Sequence, residues 1–392
     1  MSEPFSKDGW PRVAFGDVVQ LSRERSANPE DDGFDRYVGL EHIDPGDQKI
    51  RRWGDIANGT TFTNVFRAGH VLFGKRRAYQ RKVALADFEG VCSSDIYVLE
   101  AKGAHLLQEL LPFICQADAF FEHAVGTSAG SLSPRTNWDS LASYELALPP
   151  LEEQRRIAEL LLASASCGQS IRRLVGSHED QRRAAIDDLT DDEEWPETRI
   201  GDLCGMQNGR PFPGTEYSHR GTRLLRPGNL DASGYLTWET TKTVCLSGQW
   251  EQQASEFVIE AGDVVMNLTA QSLEEGFMGR VCLVRADDRS LLNQRIGRFY
   301  GWVNGVLPEY VFRVFQSSRF QRHAIEMCEG SKVKHLFWPY ISRFQLRLPP
   351  IGEQHAVVDT LRAVDSLLAR LTERGESHRA LHRRLIASSL RS

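Results

Sequence analysis

Two stretches of the chain carry a helical period, and the segments before them do not. From residue 157, positions recur at spacings of three and four: Ile157, Leu160, Ser164, Cys167, Ile171, Leu174, His178, Gln181 and Ala185. At an offset of 200 the same beat returns as Val357, Thr360, Val364, Leu367, Leu371, Arg374, His378, Leu381 and Leu385, an imperfect seam with Ser164, Gln181 and Arg374 on it. Such alternation is the seam of a coiled coil. Leu161, Val175 and Ile186 widen the apolar face of the first stretch. Pro149-Pro150 suits a helix start, because proline lacks only a donor that is unpaired there anyway. Glu152 and Glu153 then fall in the first turn, where the helix dipole favours anions.

Before each helical stretch, short β-like runs alternate with turns. Examples are Tyr37–Leu40, His70–Phe73 and Ile96–Leu99 in the first segment, and Val264–Met266 and Arg280–Val284 in the second. Apolar helical stretches follow, from Leu106 to Phe121 and from Pro308 to Phe320. This mixture predicts α+β domains with compact twisted sheets.

The two halves are copies. Leu148-Pro149-Pro150-Leu151-Glu152-Glu153-Gln154 returns as Leu348-Pro349-Pro350-Ile351-Gly352-Glu353-Gln354. Gly130-Ser131 matches Gly330-Ser331, Trp138 matches Trp338, and Trp10-Pro11 matches Trp195-Pro196. An ordered series of matches marks an internal repeat. The expected organisation is a globular segment at 1–150, a helix at 151–190, a second globular segment at 191–350 and a second helix at 351–392. If the second helix packs on the first, connectivity makes the pair antiparallel. The expected fold class is then α+β, with two pseudo-two-fold-related globular domains joined by two long antiparallel coiled-coil helices. The stretch from Glu152 to Leu189 would span about 57 Å at ~1.5 Å per residue, more than the ~34 Å of one DNA turn.

Net charge, −6, at first argues against a nucleic-acid binder. Seven acids between Asp187 and Glu197, with no base among them, outweigh that entire excess. Local patches matter more than the total for phosphate binding. No apolar run approaches the ~20 residues of a membrane helix. The start, Met1 to Pro11, is polar and unlike a signal peptide. The seven cysteines are scattered and form no Cys-x-x-Cys pair, so neither zinc nor a disulfide framework is suggested. A cytoplasmic protein without a membrane partner is expected.

The strongest local feature is a basic run, Lys75, Arg76, Arg77, Arg81 and Lys82, with Tyr79 inside it. Such a run can neutralise phosphates, and arginine can also read guanine edges; as a bare sequence feature it also suits a solvated loop. The corresponding place in the second segment holds Asn267 and Gln271, amides suited to adenine edges. Further candidates there are Arg210, Arg223, Arg226, Asn229, Arg280, Arg295, Lys332 and Lys334. Catalytic signals are few. Gly126-Thr127-Ser128-Ala129-Gly130 matches a nucleophile-elbow pattern, which requires a strand-to-helix turn. Asp47-Gln48-Lys49 has an acid-x-Lys spacing without a companion acid. His178 and His378 read as helix-packing residues rather than metal ligands.

These residues together resemble a known family. The segment 148–158, repeated at 348–358, looks like the spacer-helix start of Type I restriction-modification specificity subunits. Phe66 to Glu100, with Gly74–Tyr79 and Gly90–Ile96, resembles one of that family's target-recognition domains, as does Leu225–Leu230 in the second segment. The second segment departs from the first in lacking the Gly-Lys-Arg-Arg run, and Gly352 replaces a glutamate. The resemblance implies a non-catalytic subunit that reads a bipartite, asymmetric site in double-stranded DNA, one half per domain. It implies two modification subunits, which use S-adenosylmethionine to methylate adenine, and two restriction subunits, which use ATP and magnesium. It implies no cofactor or metal in this chain. Two other readings remain open on the residues: a free-standing DNA-binding regulator, and a hydrolase using Ser128.

Overall fold

The computed structural model describes Gly9–Leu390, so most of the polar start lies outside the described residues. The chain divides into two units. One runs through Arg172 and takes up the chain again from Glu373; the other is Arg173–Thr372.

In the first unit an antiparallel sheet has the order Val19–Leu21, Ile96–Ala101, Val71–Gly74, Val83–Leu85. A second sheet has the order Gly54–Asp55, Arg36–Val38, Gly90–Cys92, Asn64–Phe66, with its central pair parallel. The run Val71-Leu72-Phe73 explains their packing. Side chains alternate between faces of a strand. Leu72 joins Val38, Phe66 and Cys92 of the second sheet in one cluster. Val71 and Phe73 join Phe113 and Phe120 in the cluster on the opposite face. The strand reads as unbroken apolar sequence because both of its faces are buried.

The second unit repeats this plan. Its sheets run Gly205–Asn208, Ile296–Tyr300, Val264–Asn267, Val281–Leu283 and Cys245–Leu246, Thr222–Leu225, Ser290–Leu292, Val258–Ile259, again with a parallel central pair. Val264 and Met266 enter one cluster, while Val265 enters another. The expected helical stretches each split in two, as Leu111–Gln116 with Asp118–Gly126, and Pro308–Gln316 with Ser318–Met327. Ala117 and Ser317 are extended at the break, and the Ser317 side chain caps the second helix by accepting from Phe320 N.

The long helices are Leu151–Thr190 and Ile351–Ser389, each beginning directly after its Pro-Pro pair. The glutamine present in both copies of the motif anchors each start. Gln154 is buried; its Oε1 accepts from Leu107 N, and its Nε2 donates to His105 O and Pro149 O. Gln354 makes the same three bonds, to Leu307 N, Gly305 O and Pro349 O.

Each unit contains an antiparallel pair of helix segments. In the first, a Cβ added to Gly168 would meet the His378 ring, a Cβ added to Gly375 would meet Ile171, and His382 Nδ1 lies 2.9 Å from Ser164 Oγ. In the second, Arg182 Nε donates to Asp365 Oδ1 at 2.5 Å. These partners fix the facing stripe as 157, 161, 164, 168, 171, 175, 178 and 182, with its equivalents 200 residues on. This corrects half of the expected seam. Ile157 and Val357 are buried, and Ile171, Val364, Leu371 and Leu385 are partly buried. Leu160, Leu174, Leu367 and Leu381 are exposed, one residue out of phase. The two stripes share every second position. Small residues decide between them, since glycine lets two helices approach closely.

The second unit also buries charge. Arg313 is fully buried, donating to Asp365 at 2.7 Å and lying 3.5 Å from Glu309, which Arg362 also pairs. Tyr235 completes the group with a 2.8 Å bond to Asp365. Burial alone would raise the Asp365 carboxyl; the charges and hydrogen bonds of Arg313 and Arg182 outweigh it and hold its pKa below the ordinary value.

Candidate nucleic-acid interface

The basic run leaves the strand Val71–Gly74 and closes on itself. Gly74 N donates to Lys82 O, and a short turn, Ala78–Gln80, lies between. Arg77 and Arg81 bracket that turn with φ of 53° and 57°, and among the described residues they are the non-glycine positions with positive φ. A left-handed residue costs roughly 1–2 kcal/mol. The surrounding bonds must therefore impose this shape.

They come from a second segment, Ser128–Thr136. Arg77 N donates to Pro134 O, and Thr136 N donates to Lys75 O. Arg76 donates to Asp95 at 3.2 Å and to Ser133 at 3.1 Å, and Arg77 donates to Ser133 at 3.3 Å. Arg135 donates to the other Asp95 oxygen at 2.9 Å. Burial would raise the Asp95 carboxyl, but the hydrogen bonds and charges of Arg135 and Arg76 hold it below the usual carboxylate range. The two segments form a clasp with Asp95 as its buckle. Arg135, Asp95 and Ser133 escaped the sequence reading; the signal was the repeated Gly-Ser at 130 and 330.

The remaining cations of the run are held as well. Lys75 sits 4.7 Å from the Tyr97 ring centroid, Lys82 donates to Leu40 O at 2.6 Å, and Arg81 pairs with Asp118 and lies over Phe121. Each stays partly accessible, and Tyr79 is exposed.

The second unit repeats the backbone of the clasp, with Arg295 where the first unit has Asp95. Thr269–Ala270 pairs with Lys334–His335, and Glu329 and His335 bridge as Ala129 and Arg135 do. Gln271, Arg295 and Lys332 are exposed, and Lys334 is partly so. Arg210 lies over Trp250, Arg223 over Trp238 and Arg226 over Tyr217, so each guanidinium is backed by an aromatic face. Three expected contacts are corrected. Asn229 is buried and caps a turn, accepting from Arg226 N and donating to Thr237 O. Asn267 is fully buried, its amide donating to Thr269 O and Phe277 O. Arg280 spends all three nitrogens on the carbonyls of Gly276, Leu230 and Glu275. These three shape the loops from within.

The hydrolase reading fails on geometry. Ser128 follows the helix Asp118–Gly126 instead of preceding one, and its hydroxyl donates to Ala124 O at 2.7 Å. Asp47 pairs with Arg51 and accepts from Lys49 N. Among the described residues, no helix is long and apolar enough to cross a membrane.

In comparison with known proteins, residues 7–166 match the family described as the Type I restriction modification DNA specificity domain. The Type I restriction enzyme MjaVIII specificity subunit of Methanocaldococcus jannaschii is 22% identical over 393 residues, 92% of this chain and 87% of that protein. The fold is similar to a chain from a structure of type I R-M complex assembly and conformational transition, with TM-score 0.59, 20% identity and coverage of 98% and 99% of the two chains. It is also similar to the Type-I restriction-modification system S subunit from M. genitalium, with TM-score 0.55, 11% identity and full coverage of both. The chain is thus similar to specificity subunits of Type I restriction-modification systems, its first segment by the family match and its whole length by fold.

Proposed function

We propose that this chain reads a bipartite, asymmetric DNA sequence, with one half-site assigned to each unit. The observation that carries this reading is the duplicated clasp. The same backbone arrangement recurs in both units with different exposed side chains, cationic with Tyr79 in one, amide and lysine in the other. Phosphate contacts position a protein on a duplex, whereas base edges specify sequence. A fixed scaffold with exchanged side chains suits two different half-sites.

The repeated helices support a second part of the proposal. A duplicated scaffold presents one docking surface twice, which fits two modification subunits carrying S-adenosylmethionine. Two restriction subunits using ATP and magnesium would complete the cleaving assembly, and the helices would set the unread interval between half-sites. Exchanging residues 10–147 for the corresponding segment of another specificity subunit tests the assignment. One half of the methylated motif should change, and a change in both halves would count against it.

A further inference from the structure

Leu132 is the most exposed large apolar side chain among the described residues, at 90%. Single exposed leucines are common on protein surfaces, but most can fold against a neighbour when their loop moves. This one cannot readily do so. Ala129 and Arg135 exchange two backbone bonds of 3.0 Å across the base of its loop. Pro134 O accepts from Arg77 N at 2.7 Å, and the adjacent Ser133 hydroxyl accepts from both Arg76 and Arg77. An apolar tip is thus held in water between cations suited to a polyanion.

The second unit holds the same tip in the same backbone. Gly130 and Gly330 have φ of 108° and 111°, and Glu329 with His335 closes the loop as Ala129 with Arg135 does. At the position of Leu132 stands Lys332, also exposed. The scaffold is kept, and the tip changes from apolar to cationic.

We propose that Leu132 is a specificity-determining residue, which packs against the methyl group of one thymine in the major groove of the half-site read by the first unit. The inference rests on the DNA-recognition reading above. Apolar side chains discriminate thymine through its C5 methyl, and the major groove, about 12 Å wide, exposes that group. Arg77 and Arg135, which flank the tip, suit the phosphates on either side. Lys332, by the same geometry, serves a phosphate and carries no base preference.

The test uses the full chain assembled with its modification subunits, on DNA whose thymines are replaced one at a time by deoxyuridine, which lacks only the methyl. Losing contact with one methyl corresponds to about fourfold in affinity, from ~0.8 kcal/mol per buried carbon. The parent should lose about that much at a single position, and Leu132→Ala should bind thymine and uracil there alike. Leu132→Lys should also lose the distinction while keeping affinity for scrambled DNA. Unchanged responses to replacements in the other half-site, and an unchanged melting temperature, show that both variants are folded. If the parent's sensitivity persists in both variants, or the half-site contains no thymine whose methyl matters, the inference is overturned and DNA recognition stands. If the parent shows no preference for any sequence, the recognition reading falls, and this inference with it.

Discussion

Gln154 and Gln354 explain at the residue scale why a Leu-Pro-Pro motif ends in Glu-Gln twice. Each buried amide ties the first turn of a long helix to the loop before it. Replacing either by alanine leaves buried carbonyls and an N–H unpaired, which costs ~1–3 kcal/mol per orphaned group. Gln154→Ala and Gln354→Ala should therefore lower the urea midpoint by similar amounts; a neutral effect of either would contradict the role. Asp95 invites a second test. Asp95→Asn weakens the pairs to Arg76 and Arg135, which are partly exposed, so stability should fall by only ~1 kcal/mol. DNA affinity should fall further, because the shape of the basic loop goes with the clasp. Binding that tracks stability alone would argue against a shaped loop. The basic run itself was legible in the sequence. That Arg76 is tied to Asp95 was not, since the partner lies outside the run. Asn229 and Asn267 were legible as turn-forming amides, yet such side chains satisfy their own backbone as readily as a base edge.

Among the elements, the helices were legible in extent and in antiparallel pairing, and misread in phase. The sequence favours the larger leucines at 160, 174, 367 and 381, whereas the structure favours Gly168 and Gly375 at the closest approach. Surface substitutions such as Leu160→Ser and Leu174→Ser should change stability by no more than about 0.5 kcal/mol. Gly168→Leu should be strongly destabilising in the same denaturation experiment, since even a Cβ there would lie 3.0 Å from the His378 ring. The helix pair of the first unit also carries a pH dependence. Burial, then the charges of His378 and Arg172, lower the pKa of His382 from its ordinary 6.5. The unfolded chain therefore takes up this proton more readily than the folded one. The stabilisation is present above about pH 6.5 and is lost as pH falls through the lower folded value. His382→Gln should flatten the dependence of the denaturant midpoint between about pH 7.5 and about pH 5.5; an unchanged slope would assign it elsewhere. The equivalent places in the second unit are unlike. Arg182, Arg313 and Asp365 stand where the first unit has His382, Phe113 and Ala165. No hydrophobic pattern announces such a replacement, because the same faces are buried in both units.

For the whole molecule, the repeat was the feature that made both units legible at once. Matching ends at Trp10 and Trp195, and matching helices, predicted the duplicated element order that the sheets show. The parallel central pair in the second sheet of each unit was not legible, because short buried strands carry no mark of direction. Duplication with divergence at the loop tips leads to the central claim, that each unit answers for one half-site. The most direct measurement is methylome sequencing of cells that carry this chain with its modification subunits, beside cells that carry it with residues 10–147 exchanged. The account predicts adenine methylation in a two-part motif with an unread interval, and an exchange that rewrites one part while the other part and the interval stay as they were. A continuous motif, or an exchange that rewrites both parts, would contradict it.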